Sequence, residues 1–156
     1  MIWKGFSDAQ ATIAIDLTKS KEELWNNLDK DARWGVNKAR KEGLIVKQAG
    51  QEQDWQDFYK IYIETLQRGG IKGLSFQEIR KPHAILFLCI HKGKTIAGAV
   101  AIDEEEKLGL FLNASLHEFL KFQPNNLLYW HLIEYGKEKG MKQFDLGGYQ
   151  LNAGKG

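Results

Sequence analysis

Alternating apolar and polar residues in "ATIAIDL" predict a first strand over residues 11–17. "TKSKEELWNNL" follows, with Ser20 placed to cap a helix and Glu23 three residues on, a capping box; Leu24, Trp25 and Leu28 form that helix's apolar side. A second helix is predicted over "DARWGVNKARKEG", ended by Gly43, and then a short strand, "LIVKQAG". From Gln53 to Gln67, the residues Trp55, Phe58, Tyr59, Tyr62 and Leu66 recur at the spacing of an amphipathic helix. "RGGIKG" reads as a loop, and "SFQEIRK" as a short helix that Pro82 stops.

Three strands come next: "AILFLCI", "TIAGAVAI" and "KLGLFLNAS". The first two are nearly continuous apolar runs, the pattern of strands covered on both faces. "HKGK" and "DEEEK" between them are hairpin-length connections, which predicts antiparallel neighbours. Pro124 is placed as the first residue of a last helix, apolar almost all round from Leu127 to Ile133 and closed by Gly140. "KQFDL" then returns as a strand. A helix leading straight into a strand beside an antiparallel meander predicts an α/β (α+β) fold: a mixed, largely antiparallel sheet with helices on both faces. The expectation is one domain over residues 1–156, and the polar, glycine-rich "LNAGKG" at its end is expected to be a loop cut short.

Composition adds limits. At 156 residues, with 43% hydrophobic and 27% charged residues, the chain suits one ordinary globular core. A net charge of +2 is too small to imply a nucleic-acid partner by itself, so any basic surface must be local. Cys89, the one cysteine, lies within an apolar strand and reads as a buried structural thiol compatible with a reducing compartment. No apolar run reaches the length of a membrane span. The expected location is cytoplasmic, up to the inner face of the membrane.

The sequence lacks GxSxG, HExxH, CxxC and GxxxxGK[ST], and its four histidines have no metal-ligand spacing. Two stretches could carry chemistry. Arg33, Asn37 and Arg40 share one face of the basic second helix, which can either hold a carboxylate or phosphate or simply be solvated. In "FDLGGY", Asp145 sits in a strand where a carboxylate needs a partner, and Gly147 and Gly148 admit either another backbone or a ligand.

In order along the chain, "IDLTKSKEELWNNLDKDARWGVNKARKEGLIV", "IAGAVAI", "NAS" and "PNNLLYWHLIEYGKEKGMKQFDLGGY" resemble the Fem family of peptidoglycan bridge-forming aminoacyltransferases. The most specific pieces are the Arg-x-x-x-x-Lys-Ala helix and the closing Asp-Leu-Gly-Gly. The resemblance implies a GNAT-like fold, and this chain is similar to the second of the two such domains that family members pair. It implies transfer of an amino acid from aminoacyl-tRNA to the stem peptide of a peptidoglycan precursor (a muropeptide), with no cofactor. A second GNAT-like domain or self-association would complete the site, because the family's lysine-bearing segment after the Gly-Gly strand is absent here. Carried over by position, Arg33 and Asn37 would face the precursor, although an aromatic is usual where Asn37 stands. Asn113 and Ser115 would lie beside the acceptor groove, with Trp130, Gly147 and Gly148 across from them. Asp145 and Tyr149 are the candidate catalytic groups. Two further readings stay open: a GNAT-like N-acyltransferase with another acyl donor, and a non-catalytic precursor-binding domain. "FQPNNLL", at the start of the last helix, holds no glycine, and Pro124 removes an N–H, so acetyl-CoA is expected to be poorly held.

Overall fold

The computed structural model describes residues 14–147. Six strands form one sheet: β1 (Ala14–Asp16), β2 (Ile45–Ala49), β3 (Ala84–His91), β4 (Lys94–Asp103), β5 (Lys107–Ser115) and β6 (Gln143–Asp145). Their spatial order is β1-β6-β5-β4-β3-β2. Every pairing is antiparallel except β5 with β6, which the helical crossover makes parallel. The predicted mixed, largely antiparallel sheet is therefore the one formed.

Five helices flank it: α1 (Lys21–Asn26), α2 (Lys30–Lys41), α3 (Glu52–Arg68), α4 (Phe76–Ile79) and α5 (Pro124–Glu138). The capping box at Ser20 and Glu23 is made on both sides. Asp29 caps α2 through Ala32 N–H at 2.9 Å, a cap the sequence reading did not name. Leu24, Leu28, Val36, Leu128 and Leu132 belong to one core cluster, built by α1, α2 and α5 on one sheet face. Phe58, Tyr62 and Ile79 from α3 and α4 belong to the cluster on the other face. As predicted, β3 and β4 are buried on both sides through their central residues. Among the described residues no helix is long and apolar enough to cross a membrane.

The feature that positions the site is the end of the parallel pairing. β6 pairs with β5 only over Lys107–Gly109 and Gln143–Asp145, while β5 runs on to Ser115. Just past Gly109 the β4–β5 register slips, since Val100 faces Leu112 and Ala101 faces Leu110. Phe111 is the extra residue of that bulge, and bulges turn a strand away from its former direction. The last residues of β5 thus leave β6 and run toward the start of α5.

Candidate active site

Between β5 and α5 the chain makes a 3-10 turn, His117–Phe122, that the hydrophobic pattern did not predict. Gln123 then takes φ 64°, ψ 43°, a left-handed conformation unusual for a residue with a side chain. Pro124 opens the helix as expected, where its missing N–H leaves no helical bond unmade. Asn125 and Tyr129, four residues apart, share one face of α5 and meet the end of β5.

A polar seam forms there. The Asn113 Nδ2 donates to Gly98 O of β4 and to Asn125 Oδ1, each at 3.0 Å. Tyr129 donates its hydroxyl to Asn113 Oδ1 at 3.1 Å, and Asn125 Nδ2 reaches Ser115 Oγ at 3.5 Å. Behind them, Ser115 N–H donates to Thr65 Oγ1 at 3.3 Å. The Ser115 carbonyl accepts from Thr65 Oγ1 and Arg68 Nη2, both at 3.1 Å. Ser115 and Tyr129 are buried, and burial pushes the Tyr129 phenol well above its ordinary range, so it stays a donor. The seam joins α3, β4, β5 and α5, so its groups are held in place by packed elements on every side.

The first turn of α5 is closed on its other side by Asn126. Its Nδ2 donates to Gln123 Oε1 at 2.8 Å, and its Oδ1 is a buried acceptor with no partner among the described residues. A Cβ built on Gly35 of α2 would lie 2.0 Å from that Nδ2, so only glycine lets α2 approach α5 this closely.

Arg33 does not project freely from α2. Its Nη1 donates to Asn26 O at 3.2 Å and to Leu28 O, binding carbonyls left open where α1 ends. Asn37 is exposed and lines a groove with Trp34, Lys38, Lys41 and Glu42. Arg40 lines a second groove with Trp25 and Trp130, spanned by a 2.7 Å Lys21–Glu134 ion pair. Neither groove is lined by Asn113, Ser115 or Tyr129.

Residues 26–153 match the family model described as an acetyltransferase (GNAT) domain. The chain belongs to the GNAT family. Its fold is also that of FemX, at a TM-score of 0.79 and 16% identity over 88% of this chain and 52% of that one. The C-terminal domain of a putative lysylphosphatidylglycerol synthetase from Agrobacterium fabrum matches at 0.66, with 14% identity over 86% of this chain and 45% of its own. The ribosomal-protein-S18-alanine N-acetyltransferase from Escherichia coli matches at 0.54, with 19% identity over 63% and 62%. At these identities the likeness is one of fold, and this GNAT domain spans about half the length of the first two structures. No curated protein matches the sequence.

Within the GNAT domain, the expected site residues divide. Asn113 and Ser115 come together, and Thr65, Arg68, Asn125 and Tyr129, which the sequence reading missed, complete their seam. Trp130 does not join them. It packs edge-on against Trp25 with ring centroids 5.0 Å apart and is 3% exposed, so it belongs to the α1 contact. Asp145 finds local partners: its Oδ1 accepts from Gly147 N–H at 2.7 Å, and Lys107 Nζ lies 3.9 Å from Oδ2. Gly147 has φ 75°, so backbone geometry alone requires glycine there. Gly148 and Tyr149 lie outside the described residues. Cys89 is fully buried, and burial pushes its thiol up to about 12, which leaves it inert near neutral pH. No group of three or more potential metal ligands clusters among the described residues.

Proposed function

We propose that this GNAT domain transfers an aminoacyl group from aminoacyl-tRNA to the amine of a peptidoglycan-precursor stem peptide, with no resident cofactor. GNAT membership gives acyl transfer, and the first turn of α5 supports the choice of donor. A pyrophosphate is best held by backbone N–H groups of a glycine loop at a helix N-terminus. Here that turn begins with Pro124, Asn125 is drawn onto β5, and Asn126 is wedged against Gly35. A donor gripped by its nucleic-acid body has no need of that loop.

In the reaction the acceptor nitrogen attacks the ester carbonyl, forming a C–N bond and a tetrahedral oxyanion. Collapse breaks the ester C–O bond, and the proton lost by the amine ends on the departing ribose hydroxyl. The ester is already activated, so positioning supplies much of the effect. Asn113 and Tyr129 spend their N–H and O–H groups within the seam and so hold Asn125 in place, which leaves one Asn125 Nδ2–H at the end of β5 as a rigid donor of the kind that stabilises developing charge. A second GNAT-like domain or a second copy of the chain is the partner this reading implies.

The test offers acetyl-CoA and aminoacyl-tRNA separately, with a muropeptide acceptor present. Transfer from the tRNA alone is expected. Transfer from acetyl-CoA would overturn the choice of donor in favour of an ordinary N-acetyltransferase. Saturable precursor binding with neither donor consumed would make the domain a binding module.

A further inference from the structure

Five cations, Lys30, Arg33, Lys38, Arg40 and Lys41, stand on α2 against the single carboxylate of Asp31, although the whole chain is only +2. Three of them lie in the last turn, where they complement the helix dipole. That does not explain Trp34. It is 57% exposed, whereas apolar side chains elsewhere on the helix are buried. Trp34, Asn37, Lys38, Lys41 and Glu42 line a groove of about 340 Å³. Among the described residues, Lys30, Arg40 and Lys41 make no hydrogen bond or ion pair, so their charge is available to a partner.

We propose that this groove docks a single-stranded nucleic-acid end. One base stacks on the Trp34 indole, the Asn37 carboxamide meets its polar edge, and Lys30 and Lys41 take flanking phosphates. Stacking platforms set among cations are the recurring chemistry of single-strand binding. Lys30 to Lys41 spans ~16 Å along the helix axis, room for several nucleotides. The inference rests on the reading above, in which the strand is the acceptor end of the aminoacyl-tRNA.

A bilayer fits the same face less well. Surface-lying helices put a broad apolar face into the lipid. The apolar residues of α2, including Ala32, Val36 and Ala39, face the core, leaving one indole beside a Lys38–Glu42 ion pair of 2.9 Å. The Glu42 carboxylate would repel a continuous anionic plane but can be passed by separate phosphates.

The experiment titrates a labelled, short single-stranded RNA carrying no amino acid into the whole chain. Trp34→Ala should weaken binding about tenfold with the melting temperature nearly unchanged, since the indole is largely in solvent. Lys41→Gln should lower the slope of log K against log salt by ~0.7, one phosphate contact to a single strand. Uridine diphosphate at matched concentration should displace little of the RNA. Undiminished binding by the Trp34 variant, or no binding by the parent chain, overturns the proposal. Efficient displacement by uridine diphosphate would make the groove a mononucleotide subsite instead. Vesicles rich in phosphatidylglycerol that bind in a Trp34-dependent way while RNA does not would make it a membrane contact. The RNA carries no acyl group and no transfer is measured, so this outcome is independent of the donor assay.

Discussion

Gly35 and Asn126 hold α2 and α5 together by what one of them lacks: a Cβ on Gly35 would stand 2.0 Å from Asn126 Nδ2. Gly35→Ala should therefore destabilise the domain by ~1–3 kcal/mol, the usual range for overpacking, despite the better helix propensity of alanine. Adding Asn126→Ala should recover part of that loss by removing the clashing amide. Urea unfolding of the two single variants and the double variant measures the coupling. Additive effects would mean that the helices do not meet at this pair.

Tyr129→Phe removes the hydroxyl that donates to the partly buried Asn113 Oδ1. The expected loss is ~0.5–1.5 kcal/mol, the usual net value of one hydrogen bond. If the seam acts by positioning reacting groups, as the proposed function has it, turnover should fall more than precursor affinity. Equal losses in kcat and kcat/KM, with ligand affinity unchanged, would match this role. A rise in KM alone would place Tyr129 in substrate binding.

Asp145 separates a turn from a base. Asp145→Asn keeps an oxygen for Gly147 N–H, so the protein should melt within a few degrees of the parent, and Asp145→Ala should melt lower. If the Asn variant keeps most of its turnover, the carboxylate is structural. Near-complete loss of activity at an unchanged melting temperature would make Asp145 catalytic after all.

His131 gives a pH signature. Burial holds its folded-state pKa below the ordinary value, partly opposed by Glu134 and Glu138. The unfolded chain therefore takes up this proton first as pH falls. Its contribution is complete above about pH 6.5, declines below that value and levels off once pH passes under the folded pKa. His131→Gln should flatten the decline between pH 7 and 5 in thermal melts. Identical profiles would assign the decline to other groups.

Local chemistry made most of the fold readable. Ser20 with Glu23, Pro124 and the continuous apolar run of β4 each act within a few residues, and all three elements formed as the pattern implied. The 3-10 turn escaped because its apolar residues follow no single period. Trp130 packs on Trp25 and lines a groove with Arg40, contacts that a helix apolar almost all round does not announce, since its pattern does not say which neighbour each side meets. Tyr129 was counted in the apolar run of the last helix, which hid its hydroxyl, and Thr65 and Arg68 join the seam only through contacts some fifty residues distant. The need for glycine at position 35 is a distance between two helices, and no reading along one chain measures that.

The placement of β1 beside β6 has a kinetic side. Ala14 pairs with Asp145, so this ladder closes a loop of nearly the whole described chain for only three residue pairs. The β3–β4–β5 meander needs only short loops, and closing those costs far less chain entropy. The meander should form early, with the β1–β6 edge added last and opening first. Amides of Ile15 and Phe144 should then exchange with solvent deuterium faster than those of Leu88 and Ala99, although all four residues are buried. The β1–β6 edge, which carries Asp145, would be the part of the sheet that breathes.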